Sequence, residues 1–169
     1  MKIYRILESL IKKIYKISEK INNKKLQKTF RSASYNTLIK KKYLFSNNDK
    51  IYYVLKNHDI ITKSIYIDQE FNFEVLKKSL KYLKNNKKVY LVNIGAHVGT
   101  TLIPAIKNNL FKKFIAFEPS INNFNLLSAN TFINQIHQKG DLYNLALSNK
   151  ITKGYLKLFH ANNSGDFRI

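Results

Sequence analysis

The chain of 169 residues contains no cysteine and few acidic residues. The absence of cysteine excludes disulfide bonds, thiol catalysis and zinc sites with thiolate ligands. Asp and Glu together number 10 against 30 Lys and Arg, which gives a formal net charge of +20. Such a charge by itself suggests a nucleic acid or an anionic membrane as partner. Almost all of the basic residues are lysines that accompany abundant Asn and Ile, a bias typical of AT-rich coding sequence, so we do not expect nucleic acid as a partner.

Long apolar runs are also absent. No stretch approaches the roughly 18 consecutive apolar residues of a membrane-spanning helix. Glu8 and Ser9 interrupt the early apolar residues before the apolar core of a secretory signal could form. The hydrophobic fraction is 44%, and the length suits a single domain with its own core. We therefore expect a cytoplasmic protein.

Residues 2–30 carry a strongly amphipathic pattern that predicts one helix. Its apolar stripe recurs at three- and four-residue steps and consists of Ile3, Leu7, Leu10, Ile14, Ile17 and Ile21. Lysines occupy the opposite side, and the polar residues 22–25 end or weaken the helix. Three roles stay open for this helix: packing against the rest of the chain, binding a protein partner, or lying on an anionic membrane surface.

The next part of the chain predicts a small antiparallel β cap. A short helical piece over residues 38–44 and a turn over 46–49 precede it. The predicted strands of the cap cover residues 51–55, 60–62 and 64–67, where β-branched and aromatic residues cluster. His58 lies in a polar turn and is interpreted as solvated, because no metal-binding cluster surrounds it. A helix over residues 73–83 then ends near the asparagines at 85 and 86.

Residues 89–94 form the central predicted strand, which we expect to be buried on both faces of a parallel sheet. The strand leads into Gly95 and Gly99, spaced G-x-x-x-G, and a helix over residues 100–106 follows. Glycine lets the backbone approach a ligand closely, and a helix N-terminus offers free N–H groups. This arrangement of strand, glycine turn and helix predicts a nucleotide site.

A second buried strand over residues 114–117 ends at Glu118, a position where an acidic residue accepts hydrogen bonds from ribose hydroxyls in nucleotide-binding folds. The spacing from Gly95 to Glu118 fits one βαβ unit. Ser120 is the predicted N-cap of the next helix. Gly140 is predicted to interrupt the chain before a third strand over residues 142–147. A further strand is predicted over residues 155–159.

Asn130 and Asn134 are unusual inside a helix because their side chains compete for backbone hydrogen bonds. One alternative is that both side chains are solvated; the second depends on the family resemblance given next.

The sequence Asn-Ile-Gly-Ala-His-Val-Gly-Thr of residues 93–100, with Ala-Phe-Glu-Pro-Ser at 116–120, resembles the FkbM family of S-adenosylmethionine-dependent methyltransferases. Similar to that family as well are Asn123-Phe124 with Leu127, Asn130 and Asn134, then Ala146-Leu147-Ser148, and the Asn-Ser-Gly-Asp run at 163–166. The resemblance favours the second alternative for Asn130 and Asn134, a supporting role beside the glycine loop. The resemblance covers residues 89–169. It implies a class I methyltransferase fold, a Rossmann-like parallel α/β sheet, and O-methylation of a sugar, polyketide or other small metabolite.

The resemblance also implies a binding site for S-adenosylmethionine. The residues that it assigns to this cofactor are Asn93, Gly95, Ala96, His97, Gly99, Thr100, Glu118, Ala146 and Leu147, the last two beside the adenine. The family usually has Asp where this chain has Asn93, and commonly Asn where it has His97. The Asn removes a negative charge near the methionine end of the cofactor. No catalytic residue and no metal ligand is assigned.

Three regions are predicted: a basic helical region over residues 1–49, the β cap with its lead-in helix over 50–88, and a partial cofactor-binding domain over 89–169. Only the N-terminal half of the methyltransferase sheet is identified, so we expect the chain to be incomplete, inactive alone and prone to self-association. The alternative function is a non-catalytic protein that binds a membrane surface or a partner through residues 2–30. A dehydrogenase is disfavoured because His97 replaces the second glycine of G-x-G-x-x-G.

Overall fold

The structure is a computed structural model that describes residues 9, 10, 13, 23–38, 40–82, 90–158, 163–165 and 167–168. Within these residues the helices are α1 (Lys24–Thr37), α2 (Ile60–Asp68), α3 (Phe73–Leu80), α4 (Leu102–Lys107) and α5 (Ile121–Ile133), with a 3-10 turn at His137–Lys139. The strands are β1 (Tyr43–Asn48), β2 (Ile51–Lys56), β3 (Tyr90–Ile94), β4 (Lys113–Phe117), β5 (Gly140–Tyr143), β6 (Lys157–Leu158) and β7 (Phe167–Arg168).

A parallel three-stranded sheet of order β3-β4-β5 forms the centre of this mixed α/β fold. Helix α4 connects β3 to β4, and α5 connects β4 to β5, so the predicted βαβ units are confirmed. The register pairs Ile94 with Phe117, and Phe117 in turn pairs with Tyr143. The carboxyl ends of all three strands therefore meet at one edge, which is where ligands bind in open α/β sheets.

The prediction that the central strand is buried on both faces is wrong. Tyr90, Val92 and Ile94 of β3 are 53%, 55% and 65% exposed. On the other face, Phe114 and Ala116 of β4 are fully buried. Within the described residues, α4 and α5 cover one face of the sheet and leave the other open. Val89, the first residue of the predicted strand, lies outside those residues.

The core lies between the covered face of the sheet, the two crossover helices and the N-terminal elements. Helix α4 contributes four fully buried apolar side chains, Leu102, Ile103, Ala105 and Ile106, and α5 contributes Leu127. Leu55 of β2 and Ile65 of α2 belong to the same cluster. The N-terminal elements are thus packed onto the core that carries the sheet.

Strands β1 and β2 form an antiparallel hairpin with Asn48 paired to Ile51. The predicted helical piece over residues 38–44 and the predicted turn over 46–49 are therefore wrong. The turn is shorter: Asp49 and Lys50 have φ values of 47° and 66°, as a two-residue hairpin turn that matches the twist of the strands requires. The predicted domain boundary between residues 49 and 50 falls at this turn, and the three-region division stays a prediction.

Residues 60–67, predicted as strands of the β cap, form helix α2 instead. Asp59 caps this helix, because its Oδ1 accepts the N–H groups of Ile61 and Thr62 at 2.7 and 3.2 Å. Ile61 and Ile65 are buried on one face of the helix. The β-branched run satisfies the helical period once the cap is in place, and burial outweighs its strand propensity.

Helix α1 begins at Lys24, inside the range 2–30 of the predicted first helix and within residues 22–25, which are predicted to end or weaken it. Asn23 has extended backbone angles and its side chain accepts the N–H of Leu26, so a new helix starts there. Residues 9, 10 and 13 are helical and exposed, and the rest of 1–22 lies outside the described residues. No helix in the described part of the chain is long and apolar enough to span a membrane.

The remaining corrections concern element boundaries. Helix α3 ends at Leu80, and residues 83–89 lie outside the described part. Gly140 does not interrupt the chain but begins β5, which covers Gly140–Tyr143. A Cβ at this position would lie 2.0 Å from the carbonyl oxygen of Phe114, so only glycine fits against β4 there. The third strand ends at Tyr143 rather than at residue 147. The predicted strand over 155–159 is reduced to β6, which pairs with β7, and residue 159 lies outside the described part.

Candidate functional site

The glycine loop, residues 95–99, connects β3 to α4 and is attached to the end of β4. The N–H groups of Gly95 and Ala96 both donate to the carbonyl of Phe117 at 2.9 Å. The loop then turns through His97, whose φ is 52°, and through Gly99, whose N–H donates to the carbonyl of Ala96. These bonds hold the loop directly above the carboxyl ends of β3 and β4.

Glycine is needed at the two positions of the loop for different physical reasons. Gly99 has φ +91°, and a Cβ there would lie 2.6 Å from Cδ1 of Ile103. Gly99 is therefore needed for close packing of the loop on α4. Gly95 has φ +73°, but a Cβ there would meet nothing within 4 Å. Its exposed backbone borders open space, as the approach of a ligand requires.

Glu118 is 5% exposed and bonds to the glycine loop itself. Its Oε2 accepts the N–H of His97 at 2.8 Å, and its Oε1 accepts the N–H of Ser120 at 2.9 Å. Burial raises the pKa of Glu118, and the two backbone N–H groups and Asn123 partly offset that rise. The carboxylate keeps some acceptor capacity, because its two oxygens have four lone pairs and accept two backbone N–H groups and Asn123.

His97 is buried beside a segment that comes from the far end of the sequence. Its Nε2 lies 2.7 Å from Oγ of Ser164, whose N–H donates to Oδ2 of Asp59 at 2.6 Å. Asn123 donates its Nδ2 to the carbonyl of Ser164 at 2.8 Å. Burial lowers the pKa of His97 to about 4, although the nearby Asp59 carboxylate acts to raise it. His97 is therefore a neutral imidazole near neutral pH.

Within the described residues, the contact between His97 and Ser164 lacks the third member of a Ser-His-Asp triad. Nδ1 of His97 is buried and has no hydrogen-bond partner in the described residues. In a Ser-His-Asp triad a carboxylate would bind that nitrogen and orient the ring. Asp59 instead accepts backbone N–H groups of Ile61, Thr62 and Ser164. With a pKa lowered to about 4, the ring is also a weak general base.

Asn130 and Asn134 are buried, so the solvated alternative for them is wrong. Both side-chain amides bond to the backbone of β2, and Nδ2 of Asn130 also donates to the carbonyl of Val98 at 2.9 Å. The second alternative, support of the glycine loop, agrees with this contact. Ser120 occupies the N-cap position of α5 as predicted, but its side chain makes no capping hydrogen bond. His58 is exposed, as expected.

A cavity of about 290 Å³ opens at the glycine loop. Six of the predicted cofactor residues line it: Asn93, Gly95, Ala96, His97, Thr100 and Glu118. Gly99 lies beneath the loop against Ile103. Ala146 and Leu147 follow β5 and are not part of the lining, and their predicted contact with adenine stays a prediction.

Three polar residues of this site are not among the residues predicted to bind the cofactor. Asn123 and Ser164 line the cavity, and Asp59 holds Ser164 in place. Asn123 and residues 163–166 were noted only as part of the family resemblance, without a role. Asp59 belongs to the predicted polar turn around His58. Its position directly before a helical apolar period is the pattern that indicates an N-cap.

Comparison with known proteins adds little to this picture. No protein-family model matches the chain, and neither does any curated protein. The chain is similar to a solved Pyrococcus horikoshii structure named "putative transferase PH0793", with a TM-score of 0.43 and 17% identity over 62% of this chain. The match spans 37% of that structure. A likeness of this degree carries no argument about function, and the resemblance to the FkbM family stays a prediction.

Proposed function

We propose that the chain binds S-adenosylmethionine in the glycine-loop cavity and belongs to an FkbM-type methyltransferase acting on a small metabolite. One observation carries this proposal. The open backbone of Gly95 and the carboxylate of Glu118 lie on one cavity, at the ends of adjacent parallel strands. A nucleoside requires this combination, because glycine admits its close approach and the carboxylate accepts its ribose hydroxyls.

The residues present fit the cofactor in two respects. A Cβ at Gly95 would project into open space, so the loop leaves room for a ligand against its backbone. The buried Glu118 retains acceptor capacity beyond its bonds to two backbone N–H groups and Asn123, which suits a ribose hydroxyl. When bound, S-adenosylmethionine supplies a methyl group on a positively charged sulfur.

This chain's own contribution is binding and orientation. Glu118 would hold the ribose, and the glycine loop would border the rest of the cofactor. Asn93 lines the cavity at the end of β3 with a neutral amide that can donate and accept hydrogen bonds. Methyl transfer relies mainly on the positioning of donor and acceptor, so these contacts are the ones that matter. No general base is assigned.

Calorimetry on the whole chain tests the proposal. We expect S-adenosylmethionine and S-adenosylhomocysteine to bind, and NAD to bind much more weakly. Glu118→Gln should weaken binding about ten- to hundredfold, as expected for loss of one charge-assisted hydrogen bond. Glu74→Gln, on the exposed side of α3, is the matched control and should bind as the native chain does. The proposal would be overturned if the Glu118 and Glu74 variants bound with equal affinity. It would also be overturned if neither S-adenosylmethionine nor S-adenosylhomocysteine bound.

A further inference from the structure

A second cavity lies next to the glycine-loop cavity. It has a volume of about 240 Å³ and opens between the end of the β1–β2 hairpin, the loop from α2 to α3, and α4. Phe71 and Thr100 line both cavities, so the two share a wall. Nothing in the proposed binding of S-adenosylmethionine uses this second cavity.

The charge of its lining is opposite to the charge of the chain. Asp49 and Glu70 line the cavity, whereas no lysine or arginine does, although the sequence has 30 basic residues. Neither carboxylate forms an ion pair within the described residues. Oε1 of Glu70 accepts the N–H of Glu74 at 3.1 Å, which leaves its second oxygen without a protein partner there.

Three aromatic residues also belong to the lining: Tyr53, Phe71 and Phe73. Tyr53 is 4% exposed, and its hydroxyl makes no hydrogen bond in the part of the chain that the structure describes. Burial raises the pKa of Tyr53, so its hydroxyl stays neutral. The hydroxyl of Tyr53 is not among the buried polar atoms without a partner, so it is accessible, and Tyr53 lines the cavity.

Hydrogen bonds hold the rim of this cavity in place. Asn48 donates its Nδ2 to the carbonyls of Ile65 and Gln69 at 3.2 and 2.9 Å. Ser64 donates its hydroxyl to the carbonyl of Glu70 at 3.0 Å. The hairpin and the loop after α2 are thereby joined before any ligand binds, so the backbone that carries the two carboxylates is preorganised.

We propose that this second cavity binds a small organic cation, such as a protonated amine or a quaternary ammonium group. Carboxylates attract the charge, and aromatic faces stabilise a cation within about 6 Å of the ring centre. The lining combines apolar and aromatic residues with polar and charged ones in equal number, and placed polar groups beside apolar walls are what orient a small molecule. The inference does not depend on the cofactor proposal, because it concerns different carboxylates.

Binding of choline and of its neutral isostere 3,3-dimethylbutanol to the whole chain tests this inference. The two ligands have the same shape and differ in charge. We expect choline to bind at least tenfold more tightly, and the combined Asp49→Asn and Glu70→Gln changes to remove that preference. Asp141→Asn, an exposed carboxylate on β5, is the matched control and should leave the preference unchanged.

Two results would overturn the inference: equal binding of both ligands by the native chain, which would show an apolar cavity only, or binding of neither. The comparison of ligands needs no variant, so a variant that fails to fold does not affect it. S-adenosylhomocysteine should not displace choline, because the proposed cofactor site lies on the other side of Phe71 and Thr100. Full displacement would also contradict a separate site.

Discussion

Asn130 pairs with the backbone of Val54 as a neighbouring strand would. Its Oδ1 accepts the N–H of Val54 at 2.7 Å, and its Nδ2 donates to the carbonyl of Val54 at 3.2 Å. One helical turn later, Asn134 makes the same pair of bonds with Tyr52, at 2.9 and 2.6 Å. Four helical residues rise about 6 Å and two strand residues about 6.7 Å, so the two spacings match. The edge of β2 opposite β1 is thereby satisfied by side chains.

Loss of this pairing should destabilise the fold strongly. Asn130→Ala leaves the N–H and carbonyl of Val54 and the carbonyl of Val98 without their partner. Each buried group left unpaired costs about 1–3 kcal/mol. Urea unfolding should show this loss for Asn130→Ala and almost none for Asn125→Ala, an exposed asparagine on the same helix. Equal stability of the two variants would contradict the proposed role of the amide.

The two glycines of the loop should respond differently to alanine. Gly99→Ala adds a methyl group 2.6 Å from Cδ1 of Ile103 and strains a backbone with φ +91°. Gly95→Ala strains the backbone at φ +73°, by about 1–2 kcal/mol, but meets no atom within 4 Å. Thermal unfolding should therefore show the larger loss for Gly99→Ala.

Ile103→Val, which removes that Cδ1, provides the check. It should recover part of the stability of Gly99→Ala but none of that of Gly95→Ala. If the stability losses of Gly99→Ala and Ile103→Val simply added in the double variant, the contact between the new methyl group and Ile103 would be unimportant.

Stability should fall in acid through His97. Burial lowers the pKa of His97 from 6.5 to about 4, and Asp59 is the charged group that opposes this shift. The unfolded chain then binds more protons than the folded chain between about pH 6.5 and about pH 4. The contribution is fully present above the unfolded pKa and is lost as the pH falls towards the folded pKa. The loss is of the order of 3 kcal/mol. The raised pKa of Glu118 acts in the opposite direction.

His97→Asn should flatten this dependence, since asparagine does not titrate and tolerates the φ of 52°. His58→Asn is the control, because His58 has a φ of 62° and is exposed. Denaturant unfolding over the pH range should separate the two variants. An unchanged slope in His97→Asn would assign the acid sensitivity to other groups.

Asp59→Asn should detach the segment around Ser164 without unfolding α2. The amide can keep one oxygen for the N–H groups of Ile61 and Thr62, but its nitrogen cannot accept the N–H of Ser164. Amide hydrogen exchange at Ser164 should speed up, while exchange in α2 stays near native. Asp68→Asn, at the exposed end of α2, should change neither. Faster exchange throughout α2 would mean that the cap, rather than the contact with Ser164, had been lost.

The part of the site that was predictable is local in sequence. The strand, glycine turn and helix around Gly95, and Glu118 after the next strand, follow from a pattern that a short window contains. Residues 60–67 were misassigned because a β-branched run fits either period, and only the Asp59 cap and burial against the core decide between them. Asn130 and Asn134 could be marked as unusual, but their partners lie about eighty positions earlier in the chain.

The open face of the sheet follows from chain handedness. The connections β3–α4–β4 and β4–α5–β5 cross the sheet in the same direction, and right-handed crossovers in one direction place their helices on one face. No choice of residues in α4 or α5 could bring either helix over Val92 and Ile94. A right-handed crossover to a parallel strand beside β3 would cross the sheet in the opposite direction and place its helix on that face. The apolar side chains of β3 therefore mark the side of the sheet on which such a crossover would have to pack.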